Sequence, residues 1–169
     1  MEALFRSLRQ PEYLHVLLNP LPVYGLFISW IGLLVALILR SRPAQIATLT
    51  IVLISAASAW PVYELGQDAY DVVYSLSDEP GDAWLAEHKE RAEDLIYFFY
   101  ALALLSAAAI ALPAKWPRTS LPLALAVLIS GAIVLGMGGY IAYAGGKVRH
   151  REFRNEPPPP KKTSQDAHS

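Results

Sequence analysis

Three histidines occur where their imidazoles could bind a metal ion or a haem. His15 precedes the first long apolar run, His88 precedes the third, and His150 follows the fourth. If the runs cross a membrane in alternating directions, all three side chains lie near one membrane face. Three converging imidazoles can bind a divalent metal, and two can bind a haem iron axially. The alternative is a polar residue at the membrane boundary, which Arg149 and Arg151 favour for His150.

Carboxylates form a second candidate site. Glu64, Asp68 and Asp71 are spaced to share one face of a helix. A further acidic group precedes the third apolar run: Glu87, Glu90 and Asp94. Opposed carboxylates could bind a cation, and ion pairs with neighbouring lysine and arginine side chains are the alternative.

Small residues form a stripe in the fourth apolar run. Gly138, Ala142 and Gly146 follow one another at intervals of four residues. Such stripes allow two helices to approach closely. The stripe therefore predicts packing within a helical bundle, with a homo-oligomer contact or a surface for a flat cofactor as alternatives.

These residues flank or lie within four long uncharged runs that define the fold class. The runs cover residues 16–39, 43–63, 95–114 and 119–146, and they contain no Asp, Glu, Lys, Arg or His. About 20 apolar helical residues cross a hydrocarbon core about 30 Å thick. In a chain of 169 residues, 54% of them hydrophobic, these runs predict four membrane spans and exclude a soluble enzyme. The lack of ionisable groups inside the runs disfavours a small ion-coupled transporter.

The sequence predicts an all-α bundle of four transmembrane helices with both termini on the same side. Residues 1–18 form an interfacial segment, residues 19–152 the transmembrane domain and residues 153–169 a disordered tail rich in proline and lysine, including Lys161 and Lys162. Prolines in residues 19–22 predict an extended entry into the first span, and Pro61 predicts a kink in the second. Residues 77–81 are interpreted as a loop, with Asp82 as the N-cap of the third long helix.

Charge is distributed asymmetrically between the two membrane faces. Both termini and the 65–93 connection lie on one face, which we call the termini face, and it carries all the acidic residues. The two short loops opposite carry only basic ones: Arg40, Arg42, Lys115 and Arg118. Basic short loops favour a cytoplasmic location, although the termini face also carries lysines and arginines. The net charge of −1 predicts no nucleic-acid partner, and the absence of cysteine excludes thiolate metal sites.

Two short motifs resemble a known family. Residues 15–22 read HVLLNPLP, residues 138–146 read GGYIAYAGG, and His88 begins the third helix. These segments resemble an uncharacterised bacterial family of four-helix membrane proteins, which open with H-P-x-x-V-H-F-P and close with G-G-x-L-V-Y-x-H-G. The resemblance extends over about residues 14–147, but Pro20 and Gly145 occupy two of the family's histidine positions. It therefore implies the fold more than a histidine site.

The resemblance also implies a location. Some related chains carry a cytochrome c-type domain after the fourth helix, which implies termini on the periplasmic side of a bacterial inner membrane. The leading functional prediction is a non-enzymatic subunit or accessory of a membrane assembly, such as a redox or respiratory one, with the lipid bilayer and other membrane subunits as partners. The alternative is an electron-transfer protein that binds haem b or a divalent metal through His15 and His88.

Overall fold

The computed structural model describes residues 2–160, which fold into helices and turns without a β-strand. The α-helices in chain order are α1 (Glu2–Ser7), α2 (Pro11–Leu18), α3 (Leu26–Ile38), α4 (Arg42–Ala57), α5 (Ala59–Ser75), α6 (Glu79–Lys115) and α7 (Ser120–Arg149). A π-helix at Leu21–Gly25 connects α2 to α3, and single 3₁₀ turns occur at Pro117–Thr119 and Arg151–Phe153.

Four helical units are long and apolar enough to cross a membrane. They are Pro11–Ile38, Arg42–Ser75, Glu79–Lys115 and Pro117–Arg149. Their outer surfaces expose aliphatic side chains such as Ile28, Ile38 and Leu104, each about 70% accessible. A continuous apolar exterior of this kind is suited to lipid and not to water. The predicted all-α fold is therefore confirmed, with four helices long and apolar enough to span a membrane, as expected of an integral membrane protein.

Close packing between the long helices forms the interior. Leu26 and Leu33 from α3, Leu49 from α4, Leu102 from α6 and Val127 from α7 are almost fully buried in one cluster. The buried hydroxyl groups of Ser29 and Ser106 donate to backbone carbonyl groups of their own helices. Between 28% and 33% of the most apolar window of each span is buried inside the bundle.

The entry into the first span differs from the prediction. Residues 19–22 are helical and not extended: Pro20 has φ −61° and ψ −25°, and the π-helix begins at Leu21. The wider π-helical turn accommodates proline rings and their missing N–H groups within a continuous helical path. As a result α2 is the first part of this span and packs against α5, which places His15 beside that helix.

The second span is interrupted near the predicted proline kink. Helix α4 ends at Ala57 and α5 begins at Ala59, with Ser58 between them. Pro61 has no N–H to donate to the carbonyl group of Ala57, so the helical hydrogen-bond ladder is broken at this point.

The third span begins earlier than predicted. Its N-cap is Asp78 and not Asp82: the Asp78 carboxylate accepts a hydrogen bond of 3.0 Å from the Gly81 N–H. Pro80 is tolerated because first-turn residues need no helical donor. His88 therefore lies inside a long helix, about two and a half turns from its start.

The residues that follow α7 contact the bundle. The Arg154 guanidinium donates to Asp78 at 2.9 Å and to the Val148 carbonyl oxygen at 2.7 Å, and Lys147 pairs with Glu156. Residues 153–156 of the predicted tail are thus attached to the termini face. Residues 161–169 of that tail, with Lys161 and Lys162, lie outside the described residues.

Candidate functional site

Two of the three predicted histidines lie together between the helices. The ring centroids of His15 on α2 and His88 on α6 are 6.3 Å apart, and their planes are nearly perpendicular at 84°. Both rings line the same two cavities. The fold therefore brings together two residues that are 73 positions apart in the sequence.

Each imidazole is held by a neighbouring helix in the same way. The His15 Nδ1–H donates to the Val62 carbonyl oxygen of α5 at 2.8 Å. The His88 Nδ1–H donates to the Ile141 carbonyl oxygen of α7 at 2.9 Å. The residue four positions after each accepting carbonyl group is a glycine: Gly66 in α5 and Gly145 in α7.

These glycines are needed for the rings to approach the helix backbone. A Cβ atom at Gly66 would lie 2.9 Å from Cε1 of His15, and one at Gly145 would lie 3.0 Å from Cε1 of His88. Such distances are shorter than van der Waals contact, so any larger residue would displace the ring. The sequence alone gave no reason to connect these two glycines with the two histidines.

The two hydrogen bonds determine the tautomer of each ring. A carbonyl oxygen only accepts, so Nδ1 carries the proton and Nε2 of the neutral imidazole keeps its lone pair. Histidines that bind metals usually donate their other ring N–H to such an acceptor. Both Nε2 atoms of the histidine pair are thus available as ligands.

Two adjoining cavities surround the histidine pair. The larger has a volume of about 510 Å³ and reaches the termini face, where its lining includes Gln10 and Arg149. The smaller, about 70 Å³, continues inward among apolar side chains such as Val23, Ile96 and Phe99. Ligand pockets commonly range from about 300 to 1,000 Å³, so the larger cavity can accept an organic cofactor.

The predicted stripe of small residues borders these cavities. Gly138 lines the inner cavity, Gly146 the outer one and Ala142 both. Gly138 also packs within the bundle, since a Cβ there would lie 3.3 Å from Phe99. The stripe thus serves helix packing at one end and forms a flat cavity wall along the rest.

His150 is separate from the pair. Its ring stacks on Phe153 with centroids 4.9 Å apart, and its Nδ1 is 2.8 Å from a carboxylate oxygen of Glu152. More than half of the side chain is exposed. The structure thus brings together His15 and His88 and leaves His150 at the solvated end of α7.

Among the predicted acidic residues, Glu87 forms an ion pair, as does the neighbouring Glu93. Glu87 accepts from Arg91 at 2.8 Å, and Glu93 lies 3.8 Å from Lys89. Within residues 2–160 no group of three or more His, Cys, Asp or Glu side chains has a geometry suited to a metal ion. The ion-pair alternative is therefore supported for Glu87.

A buried lysine that the sequence pattern did not mark as a candidate functional residue lies close to this site. Lys147 is 2% exposed, pairs with Glu156 and lies 4.2 Å from the Trp84 ring and 3.8 Å from the Tyr143 ring. The two aromatic faces and the carboxylate together compensate its buried charge. Its position four residues after Tyr143 was the available signal, because that spacing places both side chains on one helix face.

Comparison with known proteins gives no further guide to this site. No protein-family model matches the chain, and no curated protein or solved structure is significantly similar to it.

Proposed function

We propose that this protein is a haem b-binding, non-enzymatic component of a membrane electron-transfer assembly. The observation that carries the proposal is the histidine pair, in which two imidazoles face one cavity with both Nδ1 atoms already bonded to the backbone. This joins the leading prediction, an accessory membrane subunit, to its alternative, a haem protein that uses His15 and His88.

The spacing of the pair suits axial coordination. Imidazole nitrogens bind first-row metals at about 2.0–2.1 Å, so two rings on opposite sides of one ion have centroids about 6 Å apart. The observed separation is 6.3 Å.

The number of ligands favours haem over a bare metal ion. A protein-bound zinc ion usually takes three or four protein ligands. The histidine pair offers two, and the described residues place no third His, Cys, Asp or Glu with them. A haem iron takes four nitrogens from its own macrocycle and needs the protein only for the axial positions.

The shape and polarity of the cavity also suit a flat apolar cofactor. Its wall along α7 includes Gly138, Ala142 and Gly146, which present little side-chain volume. The inner part is lined by aliphatic and aromatic residues such as Val23 and Phe99. A bound haem would supply one-electron redox chemistry. His15 and His88 would both be committed to holding the group, which favours electron transfer over catalysis.

Absorption spectra of the full-length protein in mild detergent test the proposal. Membranes or purified protein supplied with haem should show the spectrum of a six-coordinate haem that changes on reduction with dithionite. The H15A/H88A double variant should lose this spectrum, because both axial ligands are removed. The matched control is H150A, which removes an exposed histidine and should leave the spectrum unchanged.

Metal analysis of the same samples separates the alternatives. A colourless wild-type protein that binds no added haem would contradict the proposal. A wild-type protein that instead retains a stoichiometric divalent metal, lost in the double variant, would identify a metal site at the same pair of histidines.

A further inference from the structure

We propose that Lys89 and Arg149 bind the acidic end of the cofactor, so that the cavity selects a tetrapyrrole carrying free carboxylates and orients them towards the termini face. This inference rests on the proposed function and specifies the class of ligand and its direction. It concerns residues that play no part in binding the iron.

The lining of the larger cavity includes several polar side chains. Gln10, Glu12 and Arg149 line it near the chain termini, and Gln67 and Lys89 line it beside the histidine pair. The smaller cavity, which continues inward, is lined mainly by apolar side chains. A cavity with this gradient suits an amphiphilic ligand whose apolar body enters first and whose polar groups remain outside.

The charges at the polar end favour an acidic ligand. Two of the lining side chains are cationic, Lys89 and Arg149, and Glu12 is the single carboxylate among the cavity-lining residues. The balance is therefore positive. A ligand with two carboxylates could pair with both cations while remaining clear of the apolar interior.

Both cations can exchange their present partners for a ligand. The Lys89 Nζ lies 3.8 Å from Glu93, and Gln67 also donates to that carboxylate at 3.2 Å, so Glu93 keeps a partner if Lys89 turns away. The Arg149 guanidinium donates to the Leu76 carbonyl oxygen at 2.9 Å. A guanidinium has five N–H donors, so this bond leaves others for a carboxylate.

The test compares two iron porphyrins that differ only in their acid groups. The haem-free, full-length protein is titrated with iron protoporphyrin and with its dimethyl ester, and binding is followed by absorption. We expect the free acid to bind about tenfold more tightly, because each partly exposed ion pair contributes a factor of about three. In the K89Q/R149Q variant this preference should disappear.

Two further variants serve as controls. K115Q/R118Q removes one lysine and one arginine from the opposite face, where both are exposed, and should keep the preference. K89R/R149K retains both charges and should keep most of the preference for the free acid. A second readout is the midpoint potential of the bound haem, which should fall in K89Q/R149Q because lost positive charge favours the oxidised iron.

The outcomes separate the inference from the proposed function. Equal affinity of the wild-type protein for the acid and the ester, with haem bound in both cases, would overturn the inference and leave the haem proposal intact. Failure of the wild-type protein to bind either porphyrin would overturn both. The comparison within the wild-type protein holds even if a variant fails to fold.

Discussion

At the residue scale, the site depends as much on two glycines as on two histidines. Each ring lies against a helix at the position where a side chain is missing, and each donates to the carbonyl oxygen one turn earlier. The arrangement fixes the tautomer and the position of both rings before any ligand is present. A glycine within a helix destabilises the fold by up to about 1 kcal/mol relative to alanine, and here it allows the histidine ring to approach the backbone.

Replacing these glycines should therefore weaken cofactor binding without removing a ligand. In G66A and G145A the added Cβ would lie about 3 Å from the histidine ring, so the ring must move. We expect haem affinity to fall by about 10- to 100-fold, as is common when a group that orients a metal ligand is lost. Titration of the haem-free protein with haem measures this affinity.

G136A and G139A are matched controls, since a Cβ at either position meets nothing within 4 Å. Unchanged affinity in both G66A and G145A would contradict this role.

The sequence could suggest the histidines but not how they are held. His15 and His88 were predictable candidates because alternating spans place them on one membrane face. Their pairing requires that α2 lies against α5 and that α6 lies against α7, which depends on tertiary packing. Gly66 gave a partial signal, because an isolated glycine inside a helix often has a packing or functional reason. His150 shared the sequence pattern of the other two, but it lies beyond the end of α7.

At the element scale, the two ends of α6 and α7 on the termini face are joined by one carboxylate. Asp78 caps α6, accepts from Arg154 at 2.9 Å and pairs with Arg151 at 3.0 Å. These bonds, Arg154 first among them, lower the pKa of Asp78 to about 2. The segment after α7 is therefore attached to the start of α6. The sequence pattern predicts the cap at Asp82, because Pro80 and Gly81 are typical of a loop.

This attachment should depend on pH in a defined direction. Because the folded-state pKa of Asp78 lies below its ordinary value of 3.8, its contribution is complete above about pH 4 and is lost as the pH falls towards 2. The pKa of Glu156 is also lowered, chiefly by Lys147, so that pair too is lost as the pH falls below the ordinary pKa of 4.5. The natural chain has no cysteine, so a spin label at N155C reports on this segment alone.

We expect the label to be immobile at pH 7 and to become mobile between pH 4 and pH 2. D78N should raise its mobility already at pH 7 and leave a smaller acid transition, which belongs to Glu156. D71N alters an exposed carboxylate on α5 and should behave as the wild-type protein does. An immobile label in D78N at pH 7 would show that other contacts hold this segment.

At the scale of the whole molecule, the four spans were predictable because runs of about 20 uncharged residues have one common solution in a bilayer. The local backbone conformation at the helix ends was less predictable. Prolines at 20 and 22 predicted an extended chain, yet tertiary packing of α2 holds this stretch in helical turns. The long apolar patterns thus determine how many helices form, and contacts between them determine where each begins and how the site is built.

The direction of insertion is the remaining property of the whole molecule, and the charge of the loops predicts it. The α3–α4 and α6–α7 connections and the helix ends beside them carry Arg40, Arg42, Lys115 and Arg118 without an acidic residue, so we expect both loops in the cytoplasm and the histidine pair towards the periplasm. A periplasm-dependent reporter such as alkaline phosphatase, fused after residue 169 in a bacterial host, should then be active. The same reporter inserted after Arg118 should be inactive, and a cytoplasm-dependent reporter should give the reverse result at both sites.

Activity of the periplasmic reporter at the loop and not at the C-terminus would reverse the orientation. The open end of the haem cavity would then face the cytoplasm, so the electron-transfer partner would have to be a cytoplasmic one.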